Sequence, residues 1–349
     1  MKIAQVAPLT ESVPPQLYGG TERVVSYLTE ELVARGHEVT LFASGDSVTR
    51  AELRPGAPRA LRFDQQCRAP LAYELLMLEQ VAQHANRFDI THFHCDCLHL
   101  PLFRRVAARY LTTMHGRLDL PELAPLYAEF SEAPLVSISA AQRRPIEWAN
   151  WIGTVHHGIP ETLLTPGSER GGYLAFIGRI CPEKRPDLAI RLALGSGLPL
   201  KIAAKVDKAD RAYFETTVRP LLGAPNIEFI GEIDEGRKAD FLGRATALLF
   251  PVDWPEPFGL VLIEAFACGT PVIAFDRGSV PEVVEHGVTG YVVDGVGDAL
   301  GAIAAIPRLN RAQIRHEFER RFTSRRMTED YLALYRSLKE RSKATLEPA

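Results

Sequence analysis

Two glutamates flank a predicted helix start in the stretch Phe250–Ala274, which reads FPVDWPEPFGLVLIEAFACGTPVIA. Its apolar pattern predicts a strand, a turn, a helix and a second strand, with Glu256 just before the helix and Glu264 within it. The first amides of this helix belong to Phe258, Gly259 and Leu260. Unpaired N–H groups at a helix N-terminus favour an anion, so the segment suits a ligand with phosphates and hydroxyls, such as a nucleotide sugar. The alternative is that Glu256 only caps the helix and Glu264 is only solvated.

A basic cluster follows another predicted strand at Gly178–Arg185 and carries Arg179 and Lys184. Two fixed cations opposite a helix N-terminus would neutralise the charge that grows on a departing nucleoside diphosphate. The alternative is a solvated basic loop, in which these charges pair with Glu183 and Asp187.

Three further residues lie where strands are predicted to end or helices to begin. His115 ends a predicted strand, although a lone histidine there is most often structural. Gly19 and Gly20 precede Thr21, a plausible N-cap, so their loop could bring backbone N–H groups toward a phosphate. A flexible connection explains these glycines equally well.

A run of histidines and cysteines, HFHCDCLH, invites a zinc interpretation; its members are His92, His94, Cys95, Cys97 and His99. The spacing fits none of the usual structural zinc patterns, and alternation along a strand points neighbours to opposite faces. No Asp-x-Asp pair, which would suit a metal-bridged diphosphate, occurs in the chain. We therefore expect no metal site, and a strand end that lines a cleft instead.

Short apolar runs alternate with amphipathic segments throughout the chain, which indicates βαβ units and mostly parallel sheets. The predicted strands of the first half are Lys2–Ala7, Glu38–Ala43, Asp89–Phe93, Tyr110–His115, Pro134–Ser139 and Ile152–His157, and its helices Thr21–Arg35 and Leu71–Asn86. Those of the second half are strands Tyr173–Gly178, Leu198–Ala203, Asn226–Ile230, Ala247–Phe250, Pro271–Phe275 and Gly290–Val293, and helices Pro186–Leu194, Lys208–Leu222, Glu235–Arg244, Gly259–Cys268 and Ala299–Ile306. A long charged helical stretch, Gln313–Ser342, follows.

The composition and net charge argue against several classes of protein. The 349 residues are 46% hydrophobic and 24% charged with a net charge of −3, which is typical of a globular protein and argues against a strongly basic nucleic-acid binder. The apolar runs are too short to span a bilayer, and Met1–Ala7 lacks the apolar core of a signal peptide. Five cysteines, an odd number without a CxxC pair, indicate reduced thiols, so we expect a cytoplasmic protein. Trp148 and Trp151 beside Arg143–Arg144 are compatible with membrane association but do not indicate it.

Several of these motifs together resemble family 4 retaining glycosyltransferases of GT-B fold. The pair Glu256 and Glu264 with its flanks resembles the E-x7-E signature of that family. The other matching segments are Tyr18–Glu22 (YGGTE), His156–Pro160 (HHGIP), Gly178–Lys184 (GRICPEK), Gly278–Glu282 (GSVPE) and Gly287–Gly290 (GVTG). They occur in both halves of the chain in the order typical of the family.

The resemblance implies an α/β GT-B fold, with two Rossmann-like doubly wound domains facing across a cleft. Residues 1–164 would form the acceptor-side domain, 165–172 the linker and 173–322 the nucleotide-sugar domain. A C-terminal helix, 323–349, would cross back onto the first domain. The Pro, Ser and Gly residues of 165–172 independently favour a linker.

The resemblance also implies an activity: metal-independent, retaining transfer of a hexosyl group from a UDP-, GDP- or ADP-sugar to a hydroxyl acceptor. The acceptor would be a glycan, a lipid-linked glycan or a small molecule. Glu264 would bind the ribose hydroxyls and Glu256 the sugar hydroxyls, while Arg179 and Lys184 would stabilise the leaving diphosphate. His115 would lie beside the reacting centre, and the Gly19–Gly20 and Phe258–Leu260 amides would support the donor.

Two other interpretations stay open. One is a different GT-B activity, such as a nucleotide-sugar epimerase or a phosphorylase. The other is a non-catalytic protein that only binds a nucleotide sugar. No residue in the motifs is an obvious nucleophile, which suits a mechanism in which the leaving phosphate accepts the acceptor's proton.

Overall fold

The computed structural model describes residues 1–17, 19–167 and 171–344, with side chains up to residue 340. Its Cα positions divide into two compact units. Unit 1 comprises Met1–Gly158 together with the segment that starts at Ser324, and unit 2 comprises Ile159–Thr323. Each unit is built on a parallel β-sheet with helices, so the predicted α/β class is confirmed.

Unit 1 contains a seven-stranded parallel sheet with the order β3-β2-β1-β4-β5-β6-β7. Its strands are β1 (Lys2–Val6), β2 (Glu38–Ser44), β3 (Glu52–Ala57), β4 (Ile90–Phe93), β5 (Tyr110–Thr113), β6 (Leu135–Ser137) and β7 (Trp151–Thr154). The strand order reverses between β1 and β4. In open parallel sheets, ligands bind outside the carboxyl ends of the strands at such a point.

Unit 2 contains a six-stranded parallel sheet with the order β10-β9-β8-β11-β12-β13. Its strands are β8 (Leu174–Arg179), β9 (Leu200–Lys205), β10 (Ile227–Gly231), β11 (Ala247–Phe250), β12 (Val272–Phe275) and β13 (Gly290–Val293). Here the strand order reverses between β8 and β11, which are direct neighbours.

The α-helices connect these strands. In chain order they are α1 (Gly20–Ala34), α2 (Pro70–His84), α3 (Leu100–Phe103), α4 (Leu123–Glu129), α5 (Ala140–Arg143), α6 (Pro186–Ser196), α7 (Arg211–Tyr213), α8 (Glu235–Gly243), α9 (Leu260–Ala267), α10 (Val280–Val283), α11 (Val296–Ala305), α12 (Arg311–Arg321) and α13 (Ser324–Ala344). None of the helices in the described part of the chain is long and apolar enough to cross a bilayer.

Apolar side chains of the strands meet those of the helices in the core of each unit. In unit 2, β-strand residues such as Ile202 and Leu249 pack with α6 and α11. In unit 1, Phe42 and Phe93 pack with Val81 of α2. Because these strands are covered by helices, their sequences are apolar runs and do not alternate.

One strand was not predicted, and one predicted helix is irregular in the structure. Strand β3 contains Pro55 and Gly56, which weaken a strand signal but are tolerated at a sheet edge. The predicted helix Lys208–Leu222 is helical over 211–221 but irregular: an α-helical turn (Arg211–Tyr213) is followed by a π-helical turn (Phe214–Val218) and by a 3-10 turn (Arg219–Leu221) that contains Pro220.

The predicted C-terminal helical stretch Gln313–Ser342 is divided into α12 and α13 at Phe322–Thr323. Phe322 is fully buried, and its carbonyl accepts from the Ile159 amide at 2.9 Å. Thr323 forms a β-bridge with Ile159. The chain leaves the helix here because its backbone pairs with Ile159.

The Cα positions divide the two units at Gly158/Ile159, which precedes the predicted linker 165–172. Within that linker, residues 168–170 lie outside the described residues. Its flanks belong to unit 2, because the Gly171 amide donates to the Arg244 carbonyl at 2.7 Å and Gly167 packs against the backbone of Gly243.

Candidate functional site

The candidate site of unit 2 lies at the reversal point of its sheet. Strand β8 ends at Arg179 and leads into the Pro182–Lys184 turn, while the neighbouring strand β11 ends at Phe250 and leads toward Glu256. The Asp253 amide donates to the Glu183 carbonyl at 2.8 Å, so the two loops are joined by a backbone hydrogen bond. The two motifs that the sequence placed far apart therefore meet at one edge of the sheet.

Glu256 is buried in its loop by neighbours on both sides. Its Oε2 accepts from Trp254 Nε1 at 2.8 Å, and its carbonyl accepts from the Ser279 amide at 2.9 Å. Gly278 has a φ of +59°, and a Cβ added there would overlap the Glu256 carbonyl and lie 2.5 Å from its amide nitrogen. Only glycine allows this close approach. The GSVPE motif thus contributes to the position of Glu256.

Lys184 donates from Nζ to Oε2 of Glu256. Its ammonium group also lies 5.5 Å from the centre of the Phe250 ring and 5.3 Å from that of Trp254, within the range of cation–π attraction. The structure therefore brings together two of the predicted catalytic residues, one cation and one carboxylate.

Arg179 and Arg185 have different surroundings from Lys184. Arg179 Nε lies 3.6 Å from Asp210 Oδ2, and its side chain is 40% exposed. Arg185 binds the buried carboxylate of Asp187 through two nitrogens at 3.0 and 3.1 Å, and Tyr213 donates to the same carboxylate. Arg185 therefore serves the structural pairing with Asp187 that the sequence offered as an alternative for this loop.

Helix α9 begins at Leu260, with Gly259 as its N-cap residue at φ +82°. The predicted helix started at Gly259, which instead adopts the left-handed conformation that favours glycine. The Phe258 side chain is buried and packs edge-to-face on Phe322. The Phe258 ring thus anchors the loop. That the backbone amides at this helix start contact the nucleotide-sugar donor stays a prediction.

Glu264 lies in the second turn of α9 and is 4% exposed. Its Oε1 accepts from Lys238 Nζ of α8 at 2.6 Å, and the Lys238 side chain is 14% exposed. Burial of a carboxylate is costly without a cation, so Lys238 stabilises Glu264 in this position. The sequence did not single out Lys238, and no local pattern marks a partner 26 positions away.

The Gly19–Gly20 loop of unit 1 lies at the start of α1, after strand β1. Gly19 is the N-cap residue and Gly20 the first helical residue, so the predicted cap, Thr21, lies inside the helix. Tyr18 lies outside the described residues. Glu22 is buried in the first turn, and this burial, together with the nearby Glu11 charge, raises its pKa to about 7.

His115 lies two residues beyond the end of β5 and contacts two other histidines. Its Nε2 is 2.9 Å from Nδ1 of His94, and its ring stacks on His157 with 5.2 Å between ring centres. Burial lowers the pKa of His115 to about 3. The histidine is therefore neutral at pH 7 and can accept or donate a hydrogen bond.

The histidines of the HFHCDCLH run form hydrogen bonds within unit 1. His92 bonds to Tyr335 and Thr113, both at 2.7 Å, while His99 bonds to Thr112 and stacks on Phe93. Within the described residues no group of three or more His, Cys, Asp or Glu side chains is arranged to hold a metal ion. The five cysteines are free thiols. The predicted absence of a metal in the reaction stays a prediction.

Two family models match the chain in succession. The model described as Glycosyltransferase Family 4 matches residues 18–165, and the model described as Glycosyl transferases group 1 matches residues 166–324. Their junction lies inside the predicted linker 165–172. Together the two models account for most of both units.

Curated relatives match about half of the chain. The D-inositol 3-phosphate glycosyltransferase of Mycolicibacterium smegmatis is 32% identical over 210 residues, which are 54% of this chain and 47% of that protein. The protein of the same name from Mycobacterium tuberculosis (strain F11) is 33% identical over 211 residues, 53% of this chain and 43% of that protein. The chain thus spans about half the length of the curated relatives it matches.

Solved structures share the fold over nearly the whole chain. AviGT4, a glycosyltransferase involved in Avilamycin A biosynthesis, has a TM-score of 0.71 at 24% identity and covers 97% of this chain and 98% of its own. Sucrose-phosphate synthase from Thermosynechococcus elongatus has a TM-score of 0.80 at 20% identity with the same coverage. Anabaena Alr3699/HepE, solved with UDP and glucose, has a TM-score of 0.75 at 15% identity and covers 97% and 100%. The chain belongs to the family 4 glycosyltransferases and has their GT-B fold.

Proposed function

We propose that this protein transfers a hexosyl group from a nucleoside-diphosphate sugar to a hydroxyl acceptor, with retention of anomeric configuration and without a metal. The observation that carries the proposal is the meeting of Lys184 and Glu256 at the β8/β11 edge, beside the start of α9. At this place the cation and the helix N-terminus can bind a diphosphate, and the carboxylate can bind sugar hydroxyls.

In the proposed reaction, the bond from the sugar C1 to the diphosphate oxygen breaks while a bond from C1 to the acceptor oxygen forms on the same face. The acceptor's proton passes to an oxygen of the leaving diphosphate. Negative charge therefore grows on the diphosphate, and Lys184 and Arg179 stabilise it. Such catalysis consists mainly of positioning and fixed charges.

The carboxylates are assigned to hydroxyl groups of the donor. Glu264 accepts hydrogen bonds from the ribose hydroxyls, and Glu256 accepts from the hydroxyls of the transferred sugar. Lys238 and Trp254 hold these carboxylates in place before any ligand binds. His115, neutral at pH 7, accepts a hydrogen bond from a substrate hydroxyl, and the Gly19–Gly20 amides support a phosphate group.

The activity is tested by incubating the protein with UDP-, GDP- and ADP-glucose and a panel of hydroxyl acceptors. UDP-glucose is the first donor to try because the Anabaena structure holds UDP and glucose, and an inositol phosphate is the first acceptor because of the curated relatives. We expect release of one nucleoside diphosphate that depends on the acceptor, and a product whose anomeric proton shows retention. The rate should persist in EDTA.

The controls separate transfer from the alternatives. Glu264→Gln should weaken the reaction, whereas Lys201→Ala, which removes an exposed ion pair with Glu228, should not. Conversion of donor alone into an epimer or a sugar phosphate would indicate a different GT-B activity. Binding of donor without release of nucleotide across the panel would indicate a non-catalytic protein.

A further inference from the structure

A chain of hydrogen bonds runs through the buried centre of unit 1 and ends at His115. Gln5 on β1 binds His94, which follows β4, and His94 binds His115, which follows β5. The Gln5 and His94 side chains are at most 1% exposed. These residues come from three adjacent strands, so the parallel sheet itself sets the spacing of their side chains.

The direction of each bond follows from the orientation that the Gln5 amide has in the structure. Its Nε2 donates to the Tyr335 hydroxyl at 3.1 Å, which leaves its Oε1 to face His94 Nε2 at 2.8 Å. An amide oxygen can only accept a hydrogen bond. The hydrogen of this bond therefore belongs to Nε2 of His94.

The same reasoning gives the donor and the acceptor of the hydrogen bond between His94 and His115. Burial lowers the pKa of His94 well below its ordinary value, so the ring is neutral and has one hydrogen only. Since that hydrogen lies on Nε2, the His94 Nδ1 is an acceptor, and His115 must donate to it from Nε2 at 2.9 Å. His115 is also neutral, which leaves its Nδ1 as a bare acceptor.

The free end of this chain is Nδ1 of His115. That atom is buried and has no hydrogen-bond partner among residues 1–17, 19–167 and 171–340. A buried polar atom without a partner is costly, so each such atom in a native structure calls for an explanation, and a role toward a substrate is one. A hydroxyl that donates to Nδ1 would satisfy it.

We propose that Gln5 and His94 are positioning residues, which hold His115 in one tautomer with its hydrogen on Nε2 and its Nδ1 lone pair kept as the acceptor for a substrate hydroxyl. The tautomer is a property of unit 1 alone. Its use by a substrate hydroxyl rests on the proposed function. In the opposite tautomer the hydrogen would lie on Nδ1, so His115 would face such a hydroxyl with a hydrogen-bond donor and could not accept from it.

The tautomer is measured directly by long-range ¹H–¹⁵N NMR on the full chain with ¹⁵N-labelled histidines, the His115 signals being assigned with the His115→Asn variant. We expect wild-type His115 to have a protonated Nε2 and a bare Nδ1. A protonated Nδ1 in the wild type would overturn the proposal. This measurement needs neither a substrate nor a substituted His94.

Three variants test whether His94 causes this state. His94→Leu removes the acceptor, so the two His115 tautomers should mix, while His94→Asn retains an acceptor oxygen near the position of Nδ1 and should keep the wild-type pattern. His99→Leu is the matched control, because it also replaces a buried histidine of unit 1 but one that bonds to Thr112. An unchanged His115 pattern in a folded His94→Leu protein would overturn the proposal.

Kinetics then test the consequence for transfer. His94→Leu should lower kcat roughly 10- to 100-fold, the size known for loss of a group that orients a metal-binding histidine, and leave the KM of the donor within about twofold. His94→Asn should restore most of kcat, and His99→Leu should retain it. Equal losses in His94→Leu and His99→Leu would mean a merely structural role and contradict the proposal. If the wild type transfers no sugar to any acceptor, the proposed function fails, whereas the NMR result still decides the tautomer.

Discussion

Lys184 Nζ donates a hydrogen bond to Oε2 of Glu256, across 72 positions of the chain. The Lys184 side chain is 19% exposed and that of Glu256 only 9%, so the pair is largely shielded from solvent. Trp254 donates to the same oxygen and thereby fixes its direction. The position of each charge thus depends on the other, and substitutions of either residue should affect both.

Replacing Lys184 by alanine should lower kcat/KM about 30- to 1,000-fold. This range corresponds to about 2–4 kcal/mol of transition-state stabilisation, the usual loss when one preorganised charge-stabilising group is removed. Steady-state kinetics at saturating acceptor measure the effect, with Lys201→Ala as the control for loss of a lysine in unit 2. Full transfer rates in both Lys184→Ala and Arg179→Ala, with the fold intact, would show that these residues do not stabilise the leaving diphosphate.

Gly278→Ala should disrupt the site by displacing Glu256. A Cβ at this position would overlap the Glu256 backbone, whereas one at Gly287 would meet nothing within 4 Å. Both glycines have a positive φ, +59° and +79°, so each alanine variant should bear the same strain of about 1–2 kcal/mol. Gly287→Ala is therefore the matched control. We expect Gly278→Ala to lose more stability in urea unfolding and more activity than this control; equal losses would contradict the role of Gly278.

Glu264→Gln should weaken the binding of a nucleoside diphosphate, and Glu256→Gln should mainly lower kcat. A hydrogen bond to a charged group contributes about 1.5–3 kcal/mol, which corresponds to roughly a 10- to 150-fold rise in Kd for Glu264→Gln. Calorimetry with the nucleotide that proves active measures this effect. Its 2′,3′-dideoxy analogue is the sharper probe, because it should bind wild type and Glu264→Gln with similar affinity. A wild type that binds the analogue as tightly as the natural nucleotide would exclude ribose as the partner of Glu264.

Acid should destabilise unit 1 below about pH 6.5. Burial lowers the pKa of six of its histidines: His37, His92, His94, His99, His115 and His157. A lowered folded-state pKa means that stability is present above the unfolded value of about 6.5 and lost as the pH falls below it, by roughly 1.4 kcal/mol per histidine per pH unit. Glu22 acts in the opposite direction. Its pKa in the folded state is raised to about 7, so its contribution to the free energy of unfolding becomes more favourable as the pH falls below 7.

Glu74 and Asp96, whose pKa values burial also raises, act in the same direction as Glu22, but the six histidines should prevail over these three carboxyl groups. Urea unfolding followed between pH 7.5 and pH 5.5 should therefore show a loss of several kcal/mol. Glu22→Gln should be more stable than wild type at pH 8 and close to it at pH 4. A stability that stays level from pH 7.5 to pH 5.5 would mean that the buried histidines take up protons without unfolding.

The fold was predictable where a local pattern encodes it. Strands Ala247–Phe250 and Gly290–Val293 have the predicted bounds, because each is a short apolar run between turn residues. Strand β3 was missed because Pro55 and Gly56 hide it. Helix α13 begins only after Phe322–Thr323, since a long-range backbone pairing with Ile159 interrupts the helical pattern.

The site was predictable in its residue types and not in its pairings. The motifs pointed to Lys184, Glu256 and Glu264, and the structure places all three in unit 2 with Lys184 on Glu256. The motifs did not point to Lys238, which pairs with Glu264 from another helix, or to Gln5, which binds His94 across 89 positions. Such partners are set by the tertiary fold and leave no spacing that a sequence pattern can show.

The most direct test of the account is a crystal structure of the protein with a bound nucleoside diphosphate, taken from UDP, GDP and ADP. The account predicts that the diphosphate lies at the start of α9 within hydrogen-bond distance of Arg179 and Lys184, and that the ribose hydroxyls donate to Glu264. A nucleotide bound elsewhere, or bound there without contact to these side chains, would contradict it.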